Sequence, residues 1–258
     1  LSQPRRAAGN GVGLDTPAAT VGTLRALGAA GYGIEGALAT SDALMRRLMA
    51  GPTNWLTDRA ERAGGEVLAL ADYRAFYGAL PYEARAAIES RWGAPEDDPF
   101  FSAGISPPEA SGGGAGGGFA LSIHRFGNAI VGLQPARGYN VDPTDSYHSP
   151  DLVPPHHYLA FHAWLRLWGA DAVVHMGKHG NLEWLPGRAV ALGADDWPEI
   201  ALGPVPHLYP FIVNDPGEGT QAKRRAAAVI VDHLTPPLTR AESYGPMRDL
   251  EALVDEYY

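Results

Sequence analysis

The stretch that decides the fold is Ala-Val-Val-His-Met-Gly-Lys-His-Gly-Asn-Leu-Glu-Trp-Leu-Pro-Gly, residues 172–187. Its first five residues are mostly apolar, include the β-branched pair Val173 and Val174, and predict a buried strand, and the glycines and proline that follow prevent a long regular element. His175, His179 and Glu183 recur at every fourth position. We predict that they lie in a loop at the carboxyl end of the strand, where open α/β sheets bind their ligands. A short helical turn is expected to begin at Asn181.

The chemistry of these three side chains suits a metal ion or a proton transfer. Two imidazoles and a carboxylate are ligands for a borderline divalent cation such as zinc, cobalt or nickel. The same groups also serve as acids and bases. The alternative is that His175 is an ordinary core histidine and that His179 and Glu183 belong to a solvated loop. The spacing alone leaves both interpretations open.

Composition bounds the class of protein. A chain of 258 residues with 45% hydrophobic content can fold as one large domain or two modest ones. The net charge of −9 disfavours a general polyanion-binding surface, so nucleic acid is not an expected partner. The absence of cysteine excludes disulfides and thiolate metal sites. No apolar run approaches the ~20 residues of a membrane helix, and we expect a soluble, cytoplasmic protein. The missing initiator Met suggests part of a longer polypeptide.

The first part of the chain, residues 1–110, is predicted to be mostly helical. A glycine loop leads into a helix with Asp15 as the N-cap, Pro17 in the first turn and Gly31 at the end. The sequence contains no nucleotide-binding P-loop, so any ATP used would be hydrolysed on another subunit. Further helices are predicted over residues 42–50, 54–62, 72–80 and 81–92.

A glycine-rich linker, residues 111–118, separates this part from a second part, residues 119–258. Two apolar strands, predicted over residues 119–126 and 129–134 and joined at Gly127-Asn128, indicate a β-hairpin in the middle of the chain. Helix, strand, strand and helix follow, which predicts an α/β fold with a mixed or parallel sheet flanked by helices. In this second part an aromatic, amphipathic helix is predicted over 157–168, a second helix over 220–233, and the further strand over 208–213. Lys223, Arg224 and Arg225 would then occupy early helical turns, where a bound anion would offset their charge.

Long motifs carry a resemblance to a known family. The segments at residues 175–187, 206–225 and 232–242 closely resemble the large subunit of aerobic cobaltochelatase, in the CobN/magnesium chelatase H-subunit family. Residues 9–17 and 126–140 are also similar, so the resemblance covers nearly the whole chain, while the glycine-rich insert departs from it. The family's subunit is several times longer, which implies an internal portion that is inactive alone.

The resemblance implies a function. It implies a tetrapyrrole-binding subunit that inserts Co²⁺ into hydrogenobyrinic acid a,c-diamide during cobalamin synthesis, with ATP/Mg²⁺ used by a separate AAA+ ATPase and an adaptor subunit. Glu183 is our candidate base, and Trp184 beside it is expected to raise its pKa. His175 and His179 would deliver the metal, with Glu183 as a third ligand. The candidate substrate-binding residues are Arg137, Tyr139, Lys178, Trp184, Lys223, Arg224 and Arg225. The second-rank metal ligands are His148, His156, His157 and Glu218.

Three other functions stay open. The nearest alternative is the H subunit of a magnesium chelatase, which inserts Mg²⁺ into protoporphyrin IX. However, Lys178, Trp184 and the sequence of residues 213–220 resemble the cobalt type. Histidine ligation also suits cobalt better than magnesium. A non-catalytic tetrapyrrole-binding module is the second. A zinc hydrolase is the third, and the absence of a His-Glu-x-x-His signature weakens it.

Overall fold

The computed structural model describes residues 10–11, 14–51, 65–105, 107, 116–138, 149–177, 180–190, 192–210, 216–231 and 245–257. These residues form a mixed α/β structure, as predicted. The α-helices are α1 (Thr16–Ala29), α2 (Ser41–Met49), α3 (Leu70–Gly78), α4 (Tyr82–Trp92), α5 (His156–Trp168), α6 (Trp197–Leu202), α7 (Pro216–Arg225) and α8 (Pro246–Tyr257). The strands are β1 (Asn10–Gly11), β2 (Leu14–Asp15), β3 (Glu66–Ala69), β4 (Phe101–Ser102), β5 (Gly118–Leu121), β6 (Ile123–Phe126), β7 (Ala129–Gly132), β8 (Val173–Val174), β9 (His207–Pro210) and β10 (Val229–Val231). Short 3₁₀ turns cover Pro95–Asp97 and Leu182–Trp184.

Helix α1 begins where its capping residue predicts. The carboxylate of Asp15 accepts a hydrogen bond from the Ala18 N–H at 3.0 Å, and Pro17 lies in the first turn. Helix α2 and the predicted hairpin, strands β6 and β7, pack with α1 around a small core. This unit forms one wall of the cavity described below.

The antiparallel sheet β3-β5-β4 joins residues from both sides of the glycine-rich stretch. Strand β5 pairs with β3, in the register Glu66↔Leu121, and with β4. The single strand predicted over residues 119–126 is wrong, because β5 ends at Leu121 and β6 begins a different pairing at Ile123. Between them, the Ser122 hydroxyl donates to the carbonyl of Leu48 at 3.0 Å. The boundaries of the two predicted parts remain a prediction.

Helix α5 lies at the centre of the largest core. Its first ten residues, from His156 to Leu165, are all buried. The amphipathic pattern predicted for this helix is wrong, because α3, α6 and the β3-β5-β4 sheet all contact it. A helix packed on several sides has no solvated face.

The parallel sheet has the order β10-β9-β8. Strand β8 is a two-residue edge strand, and Val174 is 43% exposed, so the prediction of a buried strand over residues 172–176 is wrong. The backbone nevertheless continues alongside β9, since the His175 N–H donates to the Leu208 carbonyl at 2.8 Å. Residues 175–184 therefore follow the carboxyl end of β8, as predicted.

Helix α7 occupies a different stretch from the one predicted. It begins at Pro216 and ends at Arg225, and strand β10 follows at Val229. Lys223, Arg224 and Arg225 therefore lie in its last turn, where cations are favourable. The argument for a bound anion drawn from an unfavourable helix end is wrong.

The described helices include none that combines the length and the apolar character required to cross a lipid bilayer.

Candidate active site

Gly180 marks the point at which two of the predicted site residues, His175 and Glu183, meet. A Cβ atom built on Gly180 would lie 2.7 Å from His175 Cε1 and 2.8 Å from Glu183 Oε2. The same point is 3.1 Å from His175 Nε2. The imidazole and the carboxylate thus face one small space that only a glycine leaves open.

The Glu183 side chain lies in the 3₁₀ turn Leu182–Trp184 and is 1% exposed. Burial raises the pKa of its carboxyl to about 7, while the nearby Tyr209 hydroxyl, Gly180 N–H and Arg137 charge lower the pKa by less. Neither carboxyl oxygen makes a hydrogen bond of normal geometry with any described residue. Burial is the main cause of the raised pKa, and the contribution of Trp184 to that burial remains a prediction.

His175 is the first residue beyond strand β8. Burial, with the neighbouring His207 and His162, lowers its pKa well below the usual value, so the ring is uncharged at neutral pH. Its ring packs edge-on against Tyr209, with centroids 4.5 Å apart. Its Nε2 atom has no hydrogen-bond partner within the described part of the chain.

A hydrogen-bonded chain fixes the turn between His175 and Glu183. The Gly180 N–H donates to the Tyr209 hydroxyl at 2.8 Å. Asn181 accepts from the Tyr158 hydroxyl at 2.9 Å and donates through Nδ2 to the Pro135 carbonyl at 3.1 Å. The turn is thereby attached to strand β9, to helix α5 and to the segment after β7.

Two buried arginines bind the carbonyl oxygens of the same turn. Arg225 Nη1 donates to the Glu183 carbonyl at 2.8 Å, and Arg225 Nε donates to the Arg188 carbonyl at 3.0 Å. Arg137, which is fully buried, donates to the carbonyls of Trp184 and Ser149. These donors are directed at the backbone, so the guanidinium groups hold the turn that carries Glu183. Their predicted role as clamps for substrate carboxylates receives no support from these contacts.

A cavity of about 780 Å³ lies beside His175. Helix α1, the β6–β7 hairpin, helix α5 and strands β8 and β9 enclose it, and its lining is mainly apolar. The volume falls in the range of small-molecule sites. His175, Met176 and Leu182 belong to its wall, so the cavity borders the turn that bears Glu183.

Comparison with known proteins identifies the family of the chain. The chain matches the family CobN/Magnesium Chelatase over residues 2–258. It belongs to the CobN/magnesium chelatase family. The aerobic cobaltochelatase subunit CobN of a Sinorhizobium species is 62% identical over 97% of the chain, which covers 18% of that protein. The catalytic subunit of cobaltochelatase from Mycobacterium tuberculosis shares the fold with a TM-score of 0.75 and 42% identity, over 99% of the chain and 21% of that structure.

The magnesium branch of the family is more distant. The magnesium-chelatase H-subunit of Chlorobaculum parvum is 38% identical over 68% of the chain, which covers 13% of that protein. The chain therefore spans about a fifth or less of the length of these CobN and H-subunit relatives.

The second-rank histidines at the start of α5 have partners within the fold. The Tyr73 hydroxyl lies 2.7 Å from His156 Nδ1, and His156 Nε2 lies 3.1 Å from the Gly93 carbonyl. His157 Nε2 lies 3.2 Å from the Ala120 carbonyl, and its ring stacks on Phe100. Burial lowers the pKa of both imidazoles. These contacts join α5 to its neighbours.

The remaining predicted site residues fall into two groups. Lys223 and Arg224 are exposed in the last turn of α7, and Trp184 is half-buried. Tyr139, His148, Lys178 and His179 lie outside the described residues, as does the side chain of Glu218. Within the described ranges, no three His, Asp or Glu side chains form a metal site. The predicted set of His175, His179 and Glu183 therefore remains a prediction, of which two members are placed together.

Sequence reasoning missed Gln134 and His162, which line the cavity. Burial, with His207 and Arg166, lowers the pKa of His162 to about 3. Gln134 Oε1 and His162 Nε2 have no hydrogen-bond partner among described residues. No local motif marks either residue, because their importance comes from the fold that surrounds them.

Proposed function

We propose that the chain is the part of a cobaltochelatase large subunit that inserts Co²⁺ into hydrogenobyrinic acid a,c-diamide during cobalamin synthesis. The observation that carries this proposal is the meeting of His175 and Glu183 at Gly180, beside a cavity. The strong similarity to subunits named cobaltochelatase supports the reaction class. Because the chain spans only about a fifth of those proteins, the activity is proposed for the complete subunit.

Glu183 would take the proton that leaves the macrocycle. Metal insertion replaces an inner N–H proton of the ring by a metal–nitrogen bond, so a base must accept that proton. A carboxyl with a pKa of about 7 is present in both protonation states near neutral pH, which suits a proton acceptor that must also release its proton. Among the described residues, neither carboxyl oxygen has a hydrogen-bond partner of normal geometry, which would leave an oxygen available for the departing proton.

His175 would bind the arriving Co²⁺. An uncharged imidazole is a ligand for borderline divalent metals, and His175 Nε2 has no hydrogen-bond partner among the described residues. His179 is proposed as the second imidazole. A delivery site should hold the ion with a small number of protein ligands, because an ion enclosed by a complete set of ligands would not pass to the ring.

The cavity beside His175 is the proposed position of the macrocycle. Its lining of aliphatic and aromatic side chains suits the apolar face of a tetrapyrrole ring, whose carboxylate-bearing edges would lie outside the cavity. Its wall shares His175 with the proposed proton-acceptor site, which would bring the centre of the ring near both groups.

The energy of insertion is proposed to come from ATP hydrolysed on a separate AAA+ subunit, with an adaptor subunit completing the complex. The absence of a P-loop in the sequence supports this division of labour. We propose a cytoplasmic complex. Cobalt is favoured over magnesium because the identity to the cobaltochelatase subunit is 62%, against 38% to the magnesium-chelatase subunit.

Replacement of Glu183 by Gln tests the proposal. In the complete subunit with its ATPase partners, E183Q should lower the rate of Co²⁺ insertion by about 100-fold or more, since it removes the proton acceptor. Binding of the metal-free ring, followed by its absorbance, should stay within about twofold, since one buried amide replaces one buried carboxyl. The matched control is E83Q on the exposed face of α4, which should insert Co²⁺ normally. Normal insertion by E183Q would refute the role of Glu183, and a preference for Mg²⁺ would refute the cobalt assignment.

A further inference from the structure

The cavity beside His175 contains a distinctive set of polar groups. Gln134 Oε1, His162 Nε2 and His175 Nε2 are buried, belong to side chains that line it, and have no hydrogen-bond partner among the described residues. A buried polar atom without a partner costs about 1–3 kcal/mol. Three such atoms, on side chains that all line one cavity, point to a ligand that supplies the missing partners.

The hydrogen-bond network determines which atom of Gln134 is free. The Pro135 carbonyl can only accept, so Asn181 presents its NH₂ to it and its Oδ1 to Tyr158. The Tyr158 hydroxyl therefore donates to Asn181 and accepts from Gln134 Nε2, at 3.2 Å. This leaves the Gln134 oxygen, an acceptor, without a partner.

The charge of the lining limits the ligand further. Of the described side chains that line the cavity, none is Lys or Arg, and the one carboxylate is that of Asp171, which is exposed. A carboxylate moved into this cavity would lose its hydration without gaining a cation, and Asp171 would repel it. A primary amide is uncharged, and its N–H groups would donate to the Gln134 oxygen.

We propose that this cavity binds an uncharged, amide-bearing edge of the macrocycle, and that Gln134, assisted by His162, selects primary amides over carboxylates on that edge. The proposal rests on the proposed function, because it takes the ring to be the occupant. It adds a specificity determinant on the cavity wall, joined through Tyr158 and Asn181 to the turn that carries Glu183. The carboxylate-bearing edges of the ring would then lie outside this cavity.

The test compares two ring compounds in the complete subunit without metal. Hydrogenobyrinic acid a,c-diamide and hydrogenobyrinic acid, which carries carboxylates in place of the two amides, are titrated separately and followed by absorbance. The native subunit should bind the diamide at least about tenfold more tightly, a difference of about 1.4 kcal/mol. Gln134→Met keeps the length of the side chain but removes the acceptor, and should weaken diamide binding by about tenfold while leaving diacid binding unchanged.

Two further variants make the result decisive. Thr23→Val is the matched control, because Thr23 lines the cavity but its hydroxyl already donates to the Ala19 carbonyl at 2.9 Å. It should keep the full preference for the diamide. His162→Phe removes a second polar atom of the cavity side chains that has no partner among the described residues, and should also reduce the preference for the diamide. It serves as the test if Gln134→Met does not fold.

The outcomes separate this proposal from the proposed function. Retention of the native preference in both Gln134→Met and His162→Phe, or equal binding of the two compounds by the native subunit, would overturn the role of Gln134. Co²⁺ insertion that still depends on Glu183 would then leave the proposed function standing. Binding of neither compound by the native subunit would overturn both.

Discussion

The two groups of buried histidines in this molecule differ in how their nitrogens are used. At the start of α5, His156 and His157 have ring nitrogens next to Tyr73, Gly93 and Ala120. Around the cavity, His162 and His175 each have a buried Nε2 without a partner in the described structure. All four imidazoles are deeply buried, so burial alone does not distinguish the groups.

This difference separates the histidines that hold the fold together, His156 and His157, from those that line the cavity. We call His156 and His157 the architectural group. A buried polar atom with a partner recovers the hydrogen bond that it lost from water, and it then holds two elements together. A buried polar atom without a partner lowers stability, and its persistence indicates a use that folding does not explain. Glu183 follows the second pattern, with both carboxyl oxygens unpaired among described residues.

The largest expected effect is the pH dependence of stability that Glu183 creates. The pKa of its carboxyl rises from 4.5 to about 7 on folding, so the folded protein binds the proton more tightly than the unfolded chain. The native protein therefore loses stability as the pH rises from 4.5 to about 7, and the loss is complete above that range. Glu183→Gln does not titrate. Its unfolding free energy should match that of the native protein at pH 4 and exceed it by about 3 kcal/mol at pH 8.

Thermal unfolding at pH 4 and pH 8 measures this difference, and infrared difference spectra of native protein against E183Q should show a protonated carboxyl that titrates near pH 7. E83Q, on the exposed face of α4, should show neither change. If the stability of E183Q differed from that of the native protein by the same amount at pH 4 and pH 8, folding would not raise the pKa of Glu183. Glu183 would then be paired in the folded protein, as His156 and His157 are.

Gly180→Ala tests the space between His175 and Glu183. The new Cβ would lie under 3.0 Å from both side chains, so one of them must move. Displacement of a reacting group by about 1 Å can lower a rate by about 100-fold, and we expect a loss of that size in Co²⁺ insertion. The backbone of Gly180 is not left-handed, so the effect is one of space alone.

Gly22→Ala in α1 is the control for Gly180→Ala. No described atom lies within 4 Å of its added Cβ, and alanine in a helix should raise stability by about 1 kcal/mol. Insertion rates measured under single-turnover conditions should fall for Gly180→Ala and not for Gly22→Ala. Equal insertion rates in the two variants would show that the close approach of His175 and Glu183 at Gly180 is not needed for Co²⁺ insertion.

Local sequence signals predicted the parts of the fold that depend on neighbours in the chain. The Asp15 cap, the hairpin at Gly127 and the polar turn after β8 were all predictable because capping and turn formation involve a few adjacent residues. The break at Ser122 was not, because it depends on the distant Leu48 carbonyl. The end of α7 was also missed, since residues 229–231 join a sheet whose other strands lie elsewhere in the sequence.

The site shows the same division. The recurrence of His175, His179 and Glu183 at every fourth position indicated that they act together, and the structure brings His175 and Glu183 to one point at Gly180. The roles of Arg137 and Arg225 were not predictable, because a charged side chain in the sequence does not reveal whether it binds a substrate or a buried carbonyl. Gln134 and His162 became visible only when the hydrogen bonds of the cavity wall were known.

Tyr73→Phe tests the architectural group. It removes the hydroxyl 2.7 Å from His156 Nδ1 and leaves that nitrogen buried without a partner. We expect the unfolding free energy to fall by about 1–3 kcal/mol, with an unchanged rate of Co²⁺ insertion. Tyr82→Phe, at a side chain that is 71% exposed, should leave stability unchanged. A loss of insertion activity in Tyr73→Phe at a temperature where it is folded would place His156 in the chemistry instead.

The smallest effect on stability is expected for His162→Phe. Tyr73→Phe removes the partner of a buried nitrogen, whereas His162→Phe removes a buried nitrogen itself. It removes a polar ring atom that has no partner among described residues, and the phenyl ring keeps the aromatic contacts with Tyr158 and Phe161. The measurement belongs at pH 8, because the pKa of His162 is 6.5 in the unfolded chain and about 3 in the folded protein, so neither state binds a proton there. The unfolding free energy should stay within about 1 kcal/mol of the native value or rise, since no hydrogen bond is lost. A loss as large as that of Tyr73→Phe would show that His162 is paired in the folded protein, and the two groups of histidines would no longer differ.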